Sequence, residues 1–279
     1  MKSILMIGQS NMAGRGFIAD VAPLINEHVF MLRNGRWQMM AEPINPDRSV
    51  AGISLAATFA DAWSHDNPGE QIGLIPCAEG GSSLEDWNVD GHLFRHALSE
   101  ARFAMETSEI IGILWHQGES DSHSGLHQSY YDKLSVNMRT LKDTLQLHAV
   151  PLIIGELGDF LGKSGFGLYS SEYKEINHVL RHYTNDHTNT YIVSSQLLTS
   201  NPDGIHMDAV SLRRFGLRYY AAFKEQKNVD EPLKNEMDMV MAIESRTLTP
   251  NETMHDLTTK LAKGKIDYQT FTESLTGKS

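Results

Sequence analysis

Five short apolar runs, each leading into a helical pattern, constrain this chain more than any other feature. The runs are Ser3–Ile7, Ile72–Cys77, Ile110–Trp115, Val150–Gly155 and Thr190–Ser194. Each is about five or six residues long, rich in Ile, Leu and Val and bounded by turn residues, as strands are. They are continuously apolar rather than alternating, which suits strands covered on both faces of a parallel sheet. Between the runs the apolar spacing changes to three and four. Ser54 can cap a helix whose inner face is Leu55, Phe59 and Ala62/Trp63, and Leu93, Ala97, Ala101 and Ala104 share a face on the next. Tyr131, Leu134, Met138, Leu141 and Leu145 form a third such face, and Leu212, Phe215, Tyr219 and Ala222 a fourth. Strand, helix, strand in repetition predicts right-handed βαβ units and a three-layer α/β fold. In such a fold the ligand site lies beyond the carboxyl ends of the strands.

Two regions depart from the alternation. In Val29–Met40, Asn34-Gly35 between two apolar-bearing arms carries the turn chemistry of a type I′ hairpin. That register sets Arg33 opposite Arg36, which is unfavourable unless both splay into water or one serves an anionic or polar ligand. After residue 228 no strand pattern remains. Asn251–Ser279 carries Met254, Leu257 and Leu261, a break at Gly264, then Ile266, Phe271 and Leu275. The chain therefore divides into a main domain, 1–228, and a helical C-terminal extension, 229–279. The extension either packs on the main domain or mediates self-association.

Four segments rich in reactive side chains each follow a strand run. Gly8-Gln9-Ser10-Asn11-Met12 follows the first, and its serine can expose a hydroxyl and lend its N–H to an oxyanion. The spacing fits neither a phosphate-binding Gly-Lys-Ser/Thr loop nor a Gly-x-Ser-x-Gly elbow. Glu79-Gly80-Gly81-Ser82 follows the second; its glycines let backbone N–H groups approach a ligand. Trp115-His116-Gln117-Gly118-Glu119-Ser120-Asp121 follows the third, with Gln117 as a side-chain donor and Glu119 and Asp121 as orienting groups. Asn201-Pro202-Asp203-Gly204-Ile205-His206 follows the fifth. A carboxylate three residues before a histidine, in a tight turn, can fold back on the imidazole and fix its tautomer. Ser10, His206 and Asp203 thus satisfy the logic of nucleophile, base and orienting acid, with Gly81 and Gln117 as oxyanion donors.

Other chemistries are disfavoured. A net charge of −11 without a basic stripe argues against nucleic acid and anionic membrane surfaces as partners. Thirteen histidines, among them His116, His123 and His127, invite a metal reading. There is no His-Glu-x-x-His helix, and the one cysteine, Cys77, ends a buried strand, so no metal or cofactor is expected. The apolar opening, Ile4–Ile7, is short for a secretory signal, and no run reaches the roughly 18 residues of a membrane span. A single cysteine forms no internal disulfide, and a cytoplasmic protein is expected. Trp87 and Trp115 flank the motif segments and can either stack on a bound ligand's ring or close the core.

In combination, Gly-Gln-Ser-Asn-Met, Gly-Gly-x-x-x-x-x-Trp, Trp-x-Gln-Gly-Glu-x-Asp and Asp-Gly-x-His resemble the blocks of the SGNH hydrolases. The resemblance is to the branch holding carbohydrate esterase family 6 and the sialate O-acetylesterases, and spans roughly residues 1–225. It implies a flavodoxin-like, five-stranded parallel sheet of order 2-1-3-4-5. It further implies Ser10 as nucleophile, His206 as base and Asp203 as orienting acid. Ser10, Gly81 (or its neighbour Gly80) and Gln117 would bind the oxyanion. Apart from the resemblance, Gln9, Asn11, Arg33, Trp87 and Glu119 are candidates from the sequence itself for supporting the site or substrate. The implied activity is acyl-enzyme hydrolysis of acetyl esters on a small carbohydrate, such as a xylo-oligosaccharide. A sialate O-acetylesterase, another small-ester hydrolase and a non-catalytic sugar-binding protein are the competing readings.

Overall fold

Strand β1 (Lys2–Gly8) sits mid-sheet because its side chains feed two cores. Ile4 and Met6 face one apolar cluster, and Leu5 and Ile7 face the other. The computed structural model describes residues 1–276; the last three residues of the C-terminal extension, 277–279, lie outside the described residues. After β1 come the short helix α1 (Ser10–Ala13), the hairpin β2 (Val29–Arg33) and β3 (Arg36–Met39), α2 (Leu55–Asp66) and β4 (Ile72–Pro76). The alternation continues with α3 (His92–Met105), β5 (Glu109–His116), α4 (His127–Leu145), β6 (Leu152–Gly155), α5 (Tyr173–Asp186), β7 (Thr190–Val193) and α6 (Ala209–Glu225). Helices α2 and α6 cover one face of the sheet, and α3, α4 and α5 the other. Ser54 caps α2 as its position suggests, its hydroxyl accepting from the Ala56 N–H. On α4 the buried ring is Tyr130, whereas Tyr131 is half-buried and bonds Asp186.

The sheet is larger than the five parallel strands expected. It has seven, in the order β3-β2-β4-β1-β5-β6-β7, and it is mixed. The added pair is the hairpin: β2 runs parallel to β4, and β3 returns antiparallel at the edge. Asn34 and Gly35 both take positive φ, 51° and 70°, as a type I′ turn requires. The five strands recognised from their apolar runs are contiguous inside this sheet, as β4-β1-β5-β6-β7.

Beyond α6 the chain touches the sheet once more, Val229 pairing with Val193, before α7 (Glu236–Glu244), α8 (Pro250–Ala262) and α9 (Tyr268–Thr276). Glu236 at the start of α7 accepts from Arg214 and Arg218 of α6, the latter fully buried. Thr249 and Glu252 form a reciprocal cap on α8, and Glu252 also binds Arg246 and the Glu27 N–H. Among the described residues no helix is long and apolar enough to cross a membrane.

Candidate active site

The carboxyl ends of β1, β4 and β5 converge through close backbone packing. Gly8 ends β1 at φ 135°, and a Cβ there would lie 2.1 Å from the His116 carbonyl oxygen at the end of β5. Gln9 N–H donates to that same carbonyl at 2.9 Å. The chain then turns at once into α1, so Ser10 occupies a helix start, where first-turn N–H groups lack intrahelical acceptors. The Ser10 N–H has no acceptor among the described residues.

His206 is oriented by its own turn. Its Nδ1 lies 2.7 Å from Asp203 Oδ2, while Asp203 Oδ1 accepts the backbone N–H groups of Ile205 and His206, each at 3.0 Å. Partial burial opposes the Asp203 charge, yet these donors and the imidazole hold its carboxyl below the ordinary range. What joins this turn to the serine is Asn11. Its Nδ2 donates to the Ile205 carbonyl (3.3 Å), and its Oδ1 accepts from the Met207 N–H (2.9 Å), one bond on either side of His206. Ser10 and the histidine turn are thus linked through adjacent residues of α1. Asn11 Nδ2 is itself held by Glu119, whose Oε1 lies 3.3 Å from His116 Nε2. Burial works against the Glu119 charge, but His116 and the Asn11 amide keep its carboxyl below the usual range.

The glycine loop after β4 distinguishes its two glycines. Gly80 N–H donates to Asp47 Oδ2 at 2.8 Å, and a Cβ on Gly80 would meet the Arg15 guanidinium at 2.2 Å. Gly81, at φ 76°, is exposed, has open space around its Cα, and its N–H has no acceptor among the described residues. The loop rests on a brace that sequence patterns do not reveal. Asn45 pairs with both backbone groups of Ala78, Asp47 forms a buried ion pair with Arg15, and Arg48 binds Glu79 and the Gly80 carbonyl.

Gln117 is fully buried and committed. Its Nε2 lies within hydrogen-bonding distance of Gln9 Oε1, the Ser82 carbonyl and Asp121 Oδ2, and its Oε1 accepts from the Tyr130 hydroxyl. Two amide hydrogens facing three acceptors leave none for an added oxyanion. Gln9 is arranged the other way. Its Oε1 accepts from the N–H groups of Gly118 and Ser120 as well as from Gln117. Its Nε2 has no protein acceptor among the described residues and is not sealed from solvent.

A family model described as carbohydrate esterase, sialic acid-specific acetylesterase matches residues 1–225. The chain belongs to this family. A probable carbohydrate esterase of Arabidopsis thaliana is 29% identical over 174 residues, 53% of this chain and 66% of that protein, so just under two thirds of that relative is spanned. The X-ray structure of an Arabidopsis thaliana protein has a TM-score of 0.72 at 23% identity, covering 80% of this chain and 98% of the other. A carbohydrate acetylesterase from Xanthomonas citri has a TM-score of 0.59 at 17% identity, covering 80% of this chain and 56% of the other. At such identities the structures speak to the fold.

Several residues singled out from sequence stand apart from the polar centre of this carbohydrate esterase family member. Trp87 and Trp115 are 2% and 0% exposed and pack edge to face at 5.7 Å, so they close the core rather than offering a face to a sugar. Trp87 still serves the glycine loop, donating to Ser82 Oγ at 3.0 Å. Arg33 faces Arg36 in the edge hairpin, and its side chain makes no hydrogen bond to a residue of the polar centre. Cys77 is buried, which pushes its thiol far above the ordinary value and away from nucleophilic chemistry. Among the described residues no three His, Cys, Asp or Glu side chains gather as a metal site. Arg15, Asn45, Asp47, Arg48 and Tyr130 are the contributors that sequence reasoning missed.

Proposed function

We propose that this carbohydrate esterase is a serine O-acetylesterase that removes acetyl groups from sugars through an acetyl-enzyme. The observation that carries the reading is the Asp203–His206 pair tied by Asn11 to the helix that begins at Ser10. Asp203 keeps the hydrogen on Nδ1 of His206, so Nε2 is free to take the Ser10 proton. The Ser10 oxygen attacks the acetyl carbonyl, and the tetrahedral oxyanion is received by the N–H groups of Ser10 and Gly81. The third donor is an amide. Gln117 was expected to fill that role, but its hydrogens are engaged, and the free Nε2 of Gln9 fits it better, with Gln117 holding Gln9 in place. His206 returns the proton to the sugar oxygen as the C–O bond breaks. It then deprotonates a water that releases acetate. A lost oxyanion donor removes roughly 100-fold or more of turnover.

Family membership supports a sugar as the alcohol component, and xylo-oligosaccharides and O-acetylated sialic acid are the two classes to test. Acetate release from each is measured with purified protein, using Ser10→Ala as the blank. Release abolished in the variant establishes the serine esterase and its sugar class. If neither substrate nor a small activated acetate is hydrolysed, the esterase reading is wrong.

A further inference from the structure

The segment from Ser164 to Ser170 carries three large apolar side chains in water: Phe166 is 68% exposed, Leu168 55% and Tyr169 77%. Exposed apolar residues scattered singly are ordinary, but a cluster on one short segment marks a contact surface. This segment is fastened to the catalytic centre at both ends. Phe166 N–H donates to the Asp203 carbonyl at 2.8 Å, and the buried Ser170 hydroxyl donates to the Glu119 carbonyl at 2.8 Å. Between those bonds the two backbones touch. A Cβ on Gly165 would lie 2.2 Å from the Asp203 oxygen, one on Gly167 1.9 Å from the Gly204 oxygen, and one on Gly204 2.3 Å from the Ser164 oxygen. Three glycines therefore let the segment lie directly on the turn that presents His206, so the backbone carrying its aromatic residues keeps a fixed relation to that turn.

We propose that Phe166 and Tyr169 form the platform that receives the sugar ring bearing the acetyl group, the leaving-group side of the ester. This rests on the reading of His206 as the base, since the alcohol oxygen must reach that residue to take its proton. An aromatic face carries partial negative charge and attracts the polarised C–H groups on the flat side of a pyranose, while the ring's hydroxyls stay in water. Among the described residues neither ring has a hydrogen-bond or ion-pair partner for its side chain, so removing it leaves those polar contacts in place. Preference for a sugar over a simple alcohol thus resides in this segment, and acyl transfer in the blocks around Ser10.

The test compares Phe166→Ala and Tyr169→Ala with the parent chain on an O-acetylated xyloside, O-acetylated sialic acid and a small alkyl acetate. The expected result is a loss of about tenfold or more in kcat/KM on the preferred sugar acetate, expressed in KM, with the alkyl acetate unchanged. Binding of the same sugar acetates to Ser10→Ala, with and without Tyr169→Ala, is followed by calorimetry and needs no turnover. Weaker binding in the double variant supports the platform even if hydrolysis fails for another reason. Equal losses on sugar and alkyl acetates, or unchanged KM and binding, overturn it. A parent chain inactive on every acetate overturns the esterase reading separately.

Discussion

Replacing Asp203 by asparagine separates what that residue does for the turn from what the proposed mechanism asks of it toward His206. Its Oδ1 accepts two backbone N–H groups at 3.0 Å, and its Oδ2 accepts from His206 Nδ1 at 2.7 Å. In Asp203→Asn the side-chain oxygen keeps both backbone donors, so the turn survives. The amide nitrogen then stands where Oδ2 was and offers a hydrogen to Nδ1. His206 must accept there and carry its own hydrogen on Nε2, where it cannot take a proton from Ser10. The expected loss is about 10⁴-fold in kcat, which corresponds to about 5.5 kcal/mol at 1.36 kcal/mol per tenfold. Stability should fall by no more than about 1.5–3 kcal/mol, the scale of one charge-assisted hydrogen bond. Asp203→Ala loses all three bonds. It should match the asparagine variant in inactivity yet melt clearly below it. Acetate-release kinetics beside thermal melts of both variants decide the matter. An asparagine variant retaining more than a tenth of kcat, or melting as low as the alanine variant, refutes the tautomer argument.

Gln9→Glu keeps an oxygen for the Gly118 and Ser120 N–H groups but removes the free donor, so kcat should drop roughly 100-fold or more with the fold intact; a drop under tenfold in a steady-state assay removes Gln9 from the oxyanion site. Gly80→Ala drives a Cβ into the buried Arg15–Asp47 pair; overpacking of this kind costs about 1–3 kcal/mol, and an unchanged melting temperature would show that the brace yields freely. Burial opposes the Glu236 charge, but Arg218 and Arg214 together hold its carboxyl below the ordinary value of 4.5. A depressed folded-state value means its contribution is complete above about pH 4.5 and lost as pH falls through the folded value. Protection of the α7 amides against hydrogen exchange, relative to the intrinsic rate at each pH, should therefore fall on acidification below that pH in the parent chain and much less in Glu236→Gln.

The five strands β4, β1, β5, β6 and β7 were legible because burial on both faces demands uninterrupted apolar residues, and Ile4 to Ile7 obey that demand. Strand β3 was recognised as a hairpin arm but not as part of the sheet. As a four-residue edge strand, half-buried rather than sealed, Arg36–Met39 lacks the uninterrupted apolar run that marks the others. The polar centre was legible where its partners are near in sequence, as with Asp203 and His206. It was not where they are far apart. Asp47 and Arg15 are separated by 32 residues, and neither has a local pattern that announces the other. Gln117 shows a different limit. Its position after β5 could be read, but the direction of its amide depends on Gln9, Ser82 and Asp121, three residues from three segments.

The family match ends at residue 225, but contacts of the main domain reach past it. A chain cut there would lose Val229, whose carbonyl accepts from the Ser194 N–H at 2.7 Å, and Glu236, the carboxylate partner of Arg214 and Arg218. Removing one partner of a buried ion pair costs about 3–5 kcal/mol, part of which returning water offsets, against about 5–15 kcal/mol for a whole domain. Residues 1–225 therefore lean on helices that the family match does not include. Trimming this protein to its recognisable part should remove a sizeable share of its stability, and the inactivity of such a fragment would say nothing about Ser10.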